Sequence, residues 1–182
     1  ADALAKLSAC TDAAQVEAAL EARMSALAED GTSVDSITFS GNGEPTVNPD
    51  FSRIIDVTLR LRDRFFPSAK VSVLSNATML DREDVFEALR KVDNPILKLD
   101  AGSDVLIRKI NRPQGTYSLE KVVDRLMEFN GGFVLQTMFL QSDDFDAQKN
   151  GALERWLDIA RELHPREVMV YTIDRETPDK SL

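Results

Sequence analysis

Cysteine, histidine and long apolar runs are scarce in this sequence of 182 residues. It contains one cysteine, Cys10, so no disulfide can form within the chain. No apolar run approaches the length that spans a membrane. The first residues also lack the basic start and apolar core of a secretory signal. We therefore predict a cytoplasmic protein without a membrane segment.

Basic residues are fewer than acidic residues. The chain has 22 Lys and Arg residues against 31 Asp and Glu residues, which gives a net charge of −9. Contacts to phosphates need clustered Lys and Arg, so this balance argues against a broad nucleic-acid-binding face. The length suffices for one domain with a sizeable core. We predict a single domain over residues 1–182, with 1–11 as a leader and 174–182 as a C-terminal loop that is cut short.

Short β-branched and apolar runs alternate with helical patterns along the chain. Strand-like runs lie at residues 36–40, 70–75, 95–100, 133–140 and 167–173. Capping signals predict helices that begin after Asp12, Asn48-Pro49, Asp81 and Ser118. This alternation favours βα units and a parallel sheet, and hence an α/β fold. Part of a (βα)6 barrel with sequential strands fits best; a flat doubly wound sheet is the alternative.

The loop after the first strand-like run is the most informative segment. Residues 36–46 read Ser-Ile-Thr-Phe-Ser-Gly-Asn-Gly-Glu-Pro-Thr. Gly41 and Gly43 let the backbone approach a ligand, because no Cβ stands in the way. Glu44 places a negative charge at the strand end, and Pro45 stiffens its placement. An acid held in this way suits a cationic group such as an amine, although a tight turn with a solvated glutamate is the alternative.

This loop resembles the Gly-Gly-Glu loop of the radical S-adenosylmethionine superfamily. The GNGEPT wording of residues 41–46 is most similar to the iron–sulfur oxidoreductases of the wyosine-synthesis-like or activating-enzyme-like branch. In that superfamily the loop follows the second strand of a partial TIM-like (βα)6 barrel and binds the amino group of the methionine moiety. The resemblance implies that the chain lacks the first βα unit. It also implies that this role falls to Gly41, Asn42, Gly43 and Glu44.

Polar residues lie near the ends of the later strand-like runs. In a barrel of this kind the carboxyl ends of the strands carry the ligand-binding residues. Lys98 and Asp100 share one face because strand residues alternate. Tyr171 is placed to flank an adenine. Together the predicted cofactor-binding residues of these later runs are Ser75, Asn76, Lys98, Asp100, Gln136 and Tyr171. Arg112, in an Asn-Arg-Pro loop, is predicted to bind a substrate carboxylate or phosphate.

The residues also allow plainer interpretations at these positions. Ser75 and Asn76 suit the turn that any strand end needs. Lys98 and Asp100 could form a structural ion pair with each other, and Gln136 could be satisfied by neighbouring backbone. No catalytic residue and no metal ligand is assigned within the chain.

The family's cofactors conflict with the cysteine count. The superfamily holds a [4Fe–4S] cluster with three cysteines spaced CxxxCxxC, and this chain has Cys10 alone. We expect a fragment that starts after the cluster loop and is inactive alone; a relative that lost the cluster is the alternative.

For the intact protein the resemblance implies reductive cleavage of S-adenosylmethionine to a 5′-deoxyadenosyl radical. That radical abstracts hydrogen from an unidentified protein, RNA or small molecule, and flavodoxin or ferredoxin is the implied reductant.

Two further functions remain open at this point. A cluster-free protein of the same fold would bind a nucleoside or a partner protein. An unrelated partial-barrel lyase would use Lys98 in a Schiff base, which requires the neutral amine. The nearby Asp100 would favour the charged lysine and so disfavours that chemistry.

Overall fold

The computed structural model describes residues 11–40, 43–141, 146, 149 and 151–172. Five strands alternate with helices along these residues. They are β1 (Ser36–Phe39), β2 (Lys70–Ser75), β3 (Asn94–Lys98), β4 (Val134–Met138) and β5 (Glu167–Tyr171). Each strand overlaps one of the runs that the sequence predicts.

Helices fill the intervals between the strands. In the part of the chain that the structure describes they are α1 (Ala13–Glu29), α2 (Phe51–Phe65), α3 (Glu83–Lys91), α4 (Asp104–Ile110), α5 (Leu119–Met127) and α6 (Ala152–Leu163). A single 3₁₀ turn, Pro45–Val47, follows β1. This pattern brings successive strands into parallel alignment, since each connection returns the chain to the same end of the sheet.

The strands form one sheet in the order β1-β2-β3-β4-β5, which is also their order in the chain. β1 pairs in parallel with β2, with Ile37 opposite Val71. β4 pairs in parallel with β3, where Leu97 lies opposite Leu135, and with β5 on its other side. The predicted α/β class with sequential parallel strands is confirmed.

Side-chain caps explain where two of the helices begin. Asp12 Oδ1 accepts a hydrogen bond from the Gln15 amide at 2.8 Å, and the Gln15 side chain accepts one from the Asp12 amide. This reciprocal pair satisfies amides that the first helical turn leaves without partners. Ser118 Oγ accepts from the Lys121 amide at 3.4 Å before α5. Both starts are as predicted.

The predicted starts at Asn48-Pro49 and Asp81 are wrong. Asn48 Oδ1 accepts from the Asp50 amide at 2.9 Å, which makes a turn before the helix rather than its cap. α2 therefore begins at Phe51. Arg82 occupies the N-cap position of α3, and no side chain caps that helix.

The described residues divide into two compact units. The first lies within Ala1–Ser75 and Met79–Pro95, and the second within Asn76–Thr78 and Ile96–Leu182. In the first unit α1 packs against α2. The largest fully buried side chains of the second unit are Leu97, Leu99, Leu126, Phe133 and Leu135. A single domain over residues 1–182 stays a prediction.

A carboxylate anchors the start of β2 in the first unit. Asp93 Oδ2 accepts from the Val71 amide and from Arg62 Nη1, both at 2.9 Å, and Asp93 Oδ1 accepts from Lys70 Nζ at 3.1 Å. Partial burial alone would raise the pKa of Asp93, but these hydrogen bonds outweigh it and hold that pKa at about 2.

We expect acid to weaken the first unit through this group. Because the pKa of Asp93 is lowered on folding, its stabilisation is present above the ordinary value of 3.8 and fades as the pH falls toward 2. The shift corresponds to about 2 kcal/mol. Asp93→Asn should therefore lower the free energy of unfolding by about this amount near neutral pH, and by less near pH ~2.5. Urea unfolding at both pH values measures the difference, and a difference that does not change with pH would contradict the assignment.

Candidate functional site

The loop after β1 holds its carboxylate in a fixed position. Glu44 is half-buried and caps the turn Pro45–Val47. Its Oε1 accepts from the Thr46 hydroxyl at 2.5 Å, from the Thr46 amide at 3.2 Å and from Ser75 Oγ at 2.8 Å. Thr46 and Ser75 are themselves buried. The negative charge of Glu44 is thus oriented by two buried hydroxyls at the end of β2 and in the loop.

Ser75 contacts Glu44 directly. The sequence predicts that Ser75 contacts a cofactor directly, whereas its hydroxyl donates to Glu44. A direct cofactor contact for Ser75 stays a prediction. Gly43 is exposed, and a Cβ placed on it would meet nothing within 4 Å. Gly41 and Asn42, which share the predicted role, lie outside the described residues.

A cavity of about 330 Å³ opens in the second unit. Its volume lies at the small end of the range for sites that hold small molecules. Its lining combines polar and apolar side chains. The lining residues are Asn76, Thr78, Lys98, Asp100, Ile107, Ile110, Asn111, Pro113, Tyr117 and Met138. Every one of them belongs to the second unit.

Asp100 connects several segments that line this cavity. Its carboxylate is fully buried. Oδ1 accepts from the Met138 amide at 2.8 Å, and Oδ2 accepts from Asn111 Nδ2 at 2.6 Å and from Lys98 Nζ at 3.0 Å. The three donors come from β4, from the loop after α4 and from β3. Asp100 therefore joins three segments, and the predicted shared face of Lys98 and Asp100 is present.

Lys98 carries the positive charge of the cavity. Burial alone would lower its pKa, but the charge of Asp100 and hydrogen bonds with Asp100 and Tyr171 outweigh burial and raise that pKa above 10.5. The lysine is therefore protonated at neutral pH. A Schiff base needs the neutral amine, so this environment argues against the lyase interpretation.

Tyr117 and Asn111 line the cavity, although neither was singled out from the sequence. Burial, and then the charges of Asp104 and Asp100, raise the pKa of Tyr117 to about 12, so its hydroxyl stays protonated. Asn111 lies in the same Asn-Arg-Pro loop that drew attention to Arg112. The loop was the available signal, and its side chain in the cavity lining is Asn111.

The remaining predicted residues lie apart from the cavity lining. Arg112 is exposed and has a left-handed backbone with φ 46°. Gln136 Nε2 lies 3.3 Å from the Met169 sulfur on β5. Tyr171 is 38% exposed and forms a hydrogen bond with Lys98. Cofactor roles for Gln136 and Tyr171 and a substrate role for Arg112 stay predictions.

The described residues contain neither a metal-binding cluster nor a membrane-spanning helix. In these ranges no three His, Cys, Asp or Glu side chains come together as a metal-binding group. The helices found there are all too short or too polar to cross a membrane.

Comparisons with known proteins place the sequence in context. The model of the Radical SAM superfamily matches residues 15–164. A UPF0026 protein of Synechocystis sp. is 32% identical over 149 residues, which cover 80% of this chain and 52% of that protein. A UPF0026 protein of Methanocaldococcus jannaschii is 26% identical over 151 residues, with 81% and 44% covered. The chain thus spans about half the length of these relatives.

A solved structure gives the same fold. Coproporphyrinogen III oxidase from Escherichia coli, described as a radical SAM enzyme, superposes with a TM-score of 0.58 at 20% identity. The match covers 88% of this chain and 37% of that one. At this identity the likeness shows the fold alone, and it supports the predicted partial TIM-like barrel over a flat doubly wound sheet.

Proposed function

This chain belongs to the radical SAM superfamily, and on that premise we propose that it binds S-adenosylmethionine through the loop that follows β1. Glu44 accepts a hydrogen bond from the ammonium group of the methionine moiety. The observation that carries the proposal is the Glu44 carboxylate, which Thr46 and Ser75 hold at the end of a parallel strand. A carboxylate fixed before the ligand arrives needs little further ordering on binding.

The local chemistry fits an ammonium ligand. Oε1 accepts three hydrogen bonds, which fix the position of an acceptor group suited to an ammonium ligand. Gly43 leaves open space beside the loop backbone. The role of Ser75 and Thr46 in this proposal is to hold the carboxylate, and the role of Glu44 is to bind and orient the ligand.

The residues of this chain do not fit an iron–sulfur cluster. Three thiolates are needed, and the chain has Cys10 alone. The function assigned to this chain is therefore to bind and orient S-adenosylmethionine, and no electron-transfer step is assigned to its residues. Hydrogen abstraction, a flavodoxin or ferredoxin reductant and a cytoplasmic location are proposals for the whole protein.

A second candidate is compatible with the single cysteine. A protein that binds S-adenosylmethionine or another nucleoside without a cluster would need the Glu44 loop and no thiolates. Metal-free binding of S-adenosylmethionine is common to both candidates. Radical chemistry in the whole protein belongs only to the first.

Substitution of Glu44 tests the proposal. Glu44→Gln preserves the shape of the side chain but removes its charge, so affinity for S-adenosylmethionine should fall by about tenfold to a hundredfold, as expected for a charge-assisted hydrogen bond worth ~1.5–3 kcal/mol. Ser75→Ala leaves the charge and removes one orienting bond, so the loss should be smaller. Isothermal titration calorimetry with the 182-residue chain measures both.

The matched control is Glu154→Gln, which makes the same change at an exposed position on α6. Its affinity should equal that of the wild type. Two results would contradict the proposal: wild-type chain that does not bind S-adenosylmethionine at millimolar concentration, or Glu44→Gln that binds it as tightly as wild type. In the second case Glu44 is only a turn residue.

A further inference from the structure

The turn after the Glu44 loop is bonded to the start of α1. Asn48 Nδ2 donates to the Thr11 carbonyl at 3.0 Å, and Asp50 Oδ2 accepts from the Ala13 amide at 3.0 Å. Asn48 Oδ1 accepts from the Asp50 amide, which joins the two contacts. Each of these partners lies 37 residues away in the sequence, within the first unit. The contacts therefore connect the Glu44 loop with the residues that lead into α1.

Asp50 caps α1 rather than its own helix. It occupies the N-cap position of α2, yet its side chain makes no cap bond there. Its carboxylate instead accepts from Ala13, the first residue of α1, whose amide has no acceptor within that helix. An aspartate at an N-cap usually stabilises the helix that it precedes. Here a link between α1 and the loop takes the place of that local stabilisation.

Hydrogen bonds close the turn that runs from Glu44 to Asn48. The Val47 amide donates to the Glu44 carbonyl at 3.3 Å, and the Asn48 amide donates to the Pro45 carbonyl at 3.2 Å. Thr46 is buried within this turn, and its hydroxyl donates to the Glu44 carboxylate. A displacement of Asn48 therefore moves the backbone that carries Thr46, and with it the group that orients Glu44.

The body of α1 is held independently of its start. Two ion pairs join it to α2, Glu17 with Arg60 and Glu21 with Arg64. Met24 is buried near the other end of the helix. Loss of the contacts at the helix start would therefore loosen the first turn of α1 and leave the rest of the helix in place.

We propose that Asn48 and Asp50 are positioning residues that couple the Glu44 loop to the first turn of α1. The inference rests on the proposed binding of S-adenosylmethionine at Glu44 and adds a conformational consequence to it. A ligand that fixes Glu44 also fixes the turn that carries Asn48, and the start of α1 becomes more ordered. By linkage, an ordered helix start strengthens binding of the ligand by the same factor.

Amide hydrogen exchange of the 182-residue chain, followed by NMR, tests the coupling. The amides of Gln15 and Val16 report on the helix start, because they donate to Asp12 Oδ1 and to the Asp12 carbonyl. Saturating S-adenosylmethionine should slow their exchange about fivefold, the lower end of the usual range for coupled sites. Asp50→Ala should abolish this slowing, and Asp50→Asn should restore most of it because the amide retains an oxygen acceptor. A merely structural contact would give the same exchange with and without ligand.

Ala13→Pro breaks the same bond from the other side. Proline suits the first position of a helix, and Asp12, with φ −76° and ψ 165°, already has the extended backbone that precedes a proline. In the ligand-free chain this variant should speed exchange of the Val47 and Asn48 amides about fivefold. Asp50→Ala should do the same and decides the matter if Ala13→Pro does not fold. The control is Asp81→Ala, at an exposed position before α3, which should change neither rate.

The outcomes separate this proposal from the first. A wild-type chain that binds S-adenosylmethionine with no change in exchange at the start of α1 would overturn the coupling and leave Glu44 as the ligand-binding group. A chain that does not bind S-adenosylmethionine would refute the Glu44 proposal, and the ligand-free experiment would then decide the coupling alone. Unchanged exchange of Val47 and Asn48 in the folded Ala13→Pro and Asp50→Ala variants would overturn it.

Discussion

Replacing Asp100 by alanine should lower the free energy of unfolding by about 3–5 kcal/mol, the usual cost of removing one partner from a buried ion pair. The Asp100 side chain is completely buried, and it accepts from the Met138 amide, Asn111 Nδ2 and Lys98 Nζ. Alanine would leave these three donors without the acceptor that joins them. Since small domains have about 5–15 kcal/mol of stability in total, the loss is a large fraction.

Asparagine should rescue little of this loss. Asp100→Asn has the same shape but puts an NH₂ group where one carboxylate oxygen stood. In one orientation that group faces the Met138 amide, and in the other it faces Lys98 and Asn111, so donors oppose donors either way. An Asp100→Asn variant as stable as wild type would show that the acceptor count at this position does not matter.

Trp156 gives a convenient measurement of this effect. It is the only tryptophan in the sequence and is buried in the second unit, so its fluorescence in urea reports the unfolding of that unit. Asp158→Ala is the control, because the Asp158 side chain is 74% exposed and pairs only with Arg161 one turn away. Its effect should stay within about 0.5 kcal/mol.

Substitution of Gly102 should lower the free energy of unfolding nearly as much, because a side chain at this position would overlap neighbouring backbone atoms. A Cβ on Gly102 would lie 2.6 Å from the Trp156 backbone nitrogen and 2.8 Å from the Arg155 carbonyl carbon. These are backbone atoms of α6, so the whole helix would have to move. Movement would also disturb the hydrogen bond that Trp156 Nε1 donates to the Leu99 carbonyl at 2.8 Å. We expect Gly102→Ala to cost about 3 kcal/mol, the upper part of the usual range for overpacking.

Gly43→Ala makes the same change in open space. No atom lies within 4 Å of a Cβ at Gly43, and its backbone does not have a positive φ. Its free energy of unfolding should be within about 0.5 kcal/mol of wild type in the same urea experiment. If Gly102→Ala is equally harmless, α6 is not held against Gly102 as closely as the geometry indicates.

The strands and helices could be predicted from the sequence because each is indicated by residues that are close together in the chain. A run such as Val71 to Leu74 predicts a strand from only a few residues. Asp12 with Gln15 predicts a helix start in the same way. The helix start near Asn48 was predicted two residues too early, because an asparagine suits a turn as well as a cap. Only the position of the next amide decides between the two, and sequence pattern does not supply it.

The candidate site was predicted less completely because its contacts are distant in sequence. Glu44 was identified from its loop, but the bond from Ser75, 31 residues away, was not. Asn111 reaches Asp100 across 11 residues, and its exposed neighbour Arg112 looked the more useful side chain. Charge and residue type indicate what a side chain can bind. Which side chain faces a cavity depends on how the loop folds.

The bonds around Glu44 also bear on how this loop can change during evolution. The hydroxyls of Thr46 and Ser75 both donate to the same oxygen, Glu44 Oε1, so the length of the glutamate side chain has to suit both. An aspartate at position 44, shorter by one methylene, would leave both hydroxyls short of an acceptor. We therefore expect the three positions to change together among related sequences. A lineage that altered one of them would be under pressure to alter the others, or to restore the first.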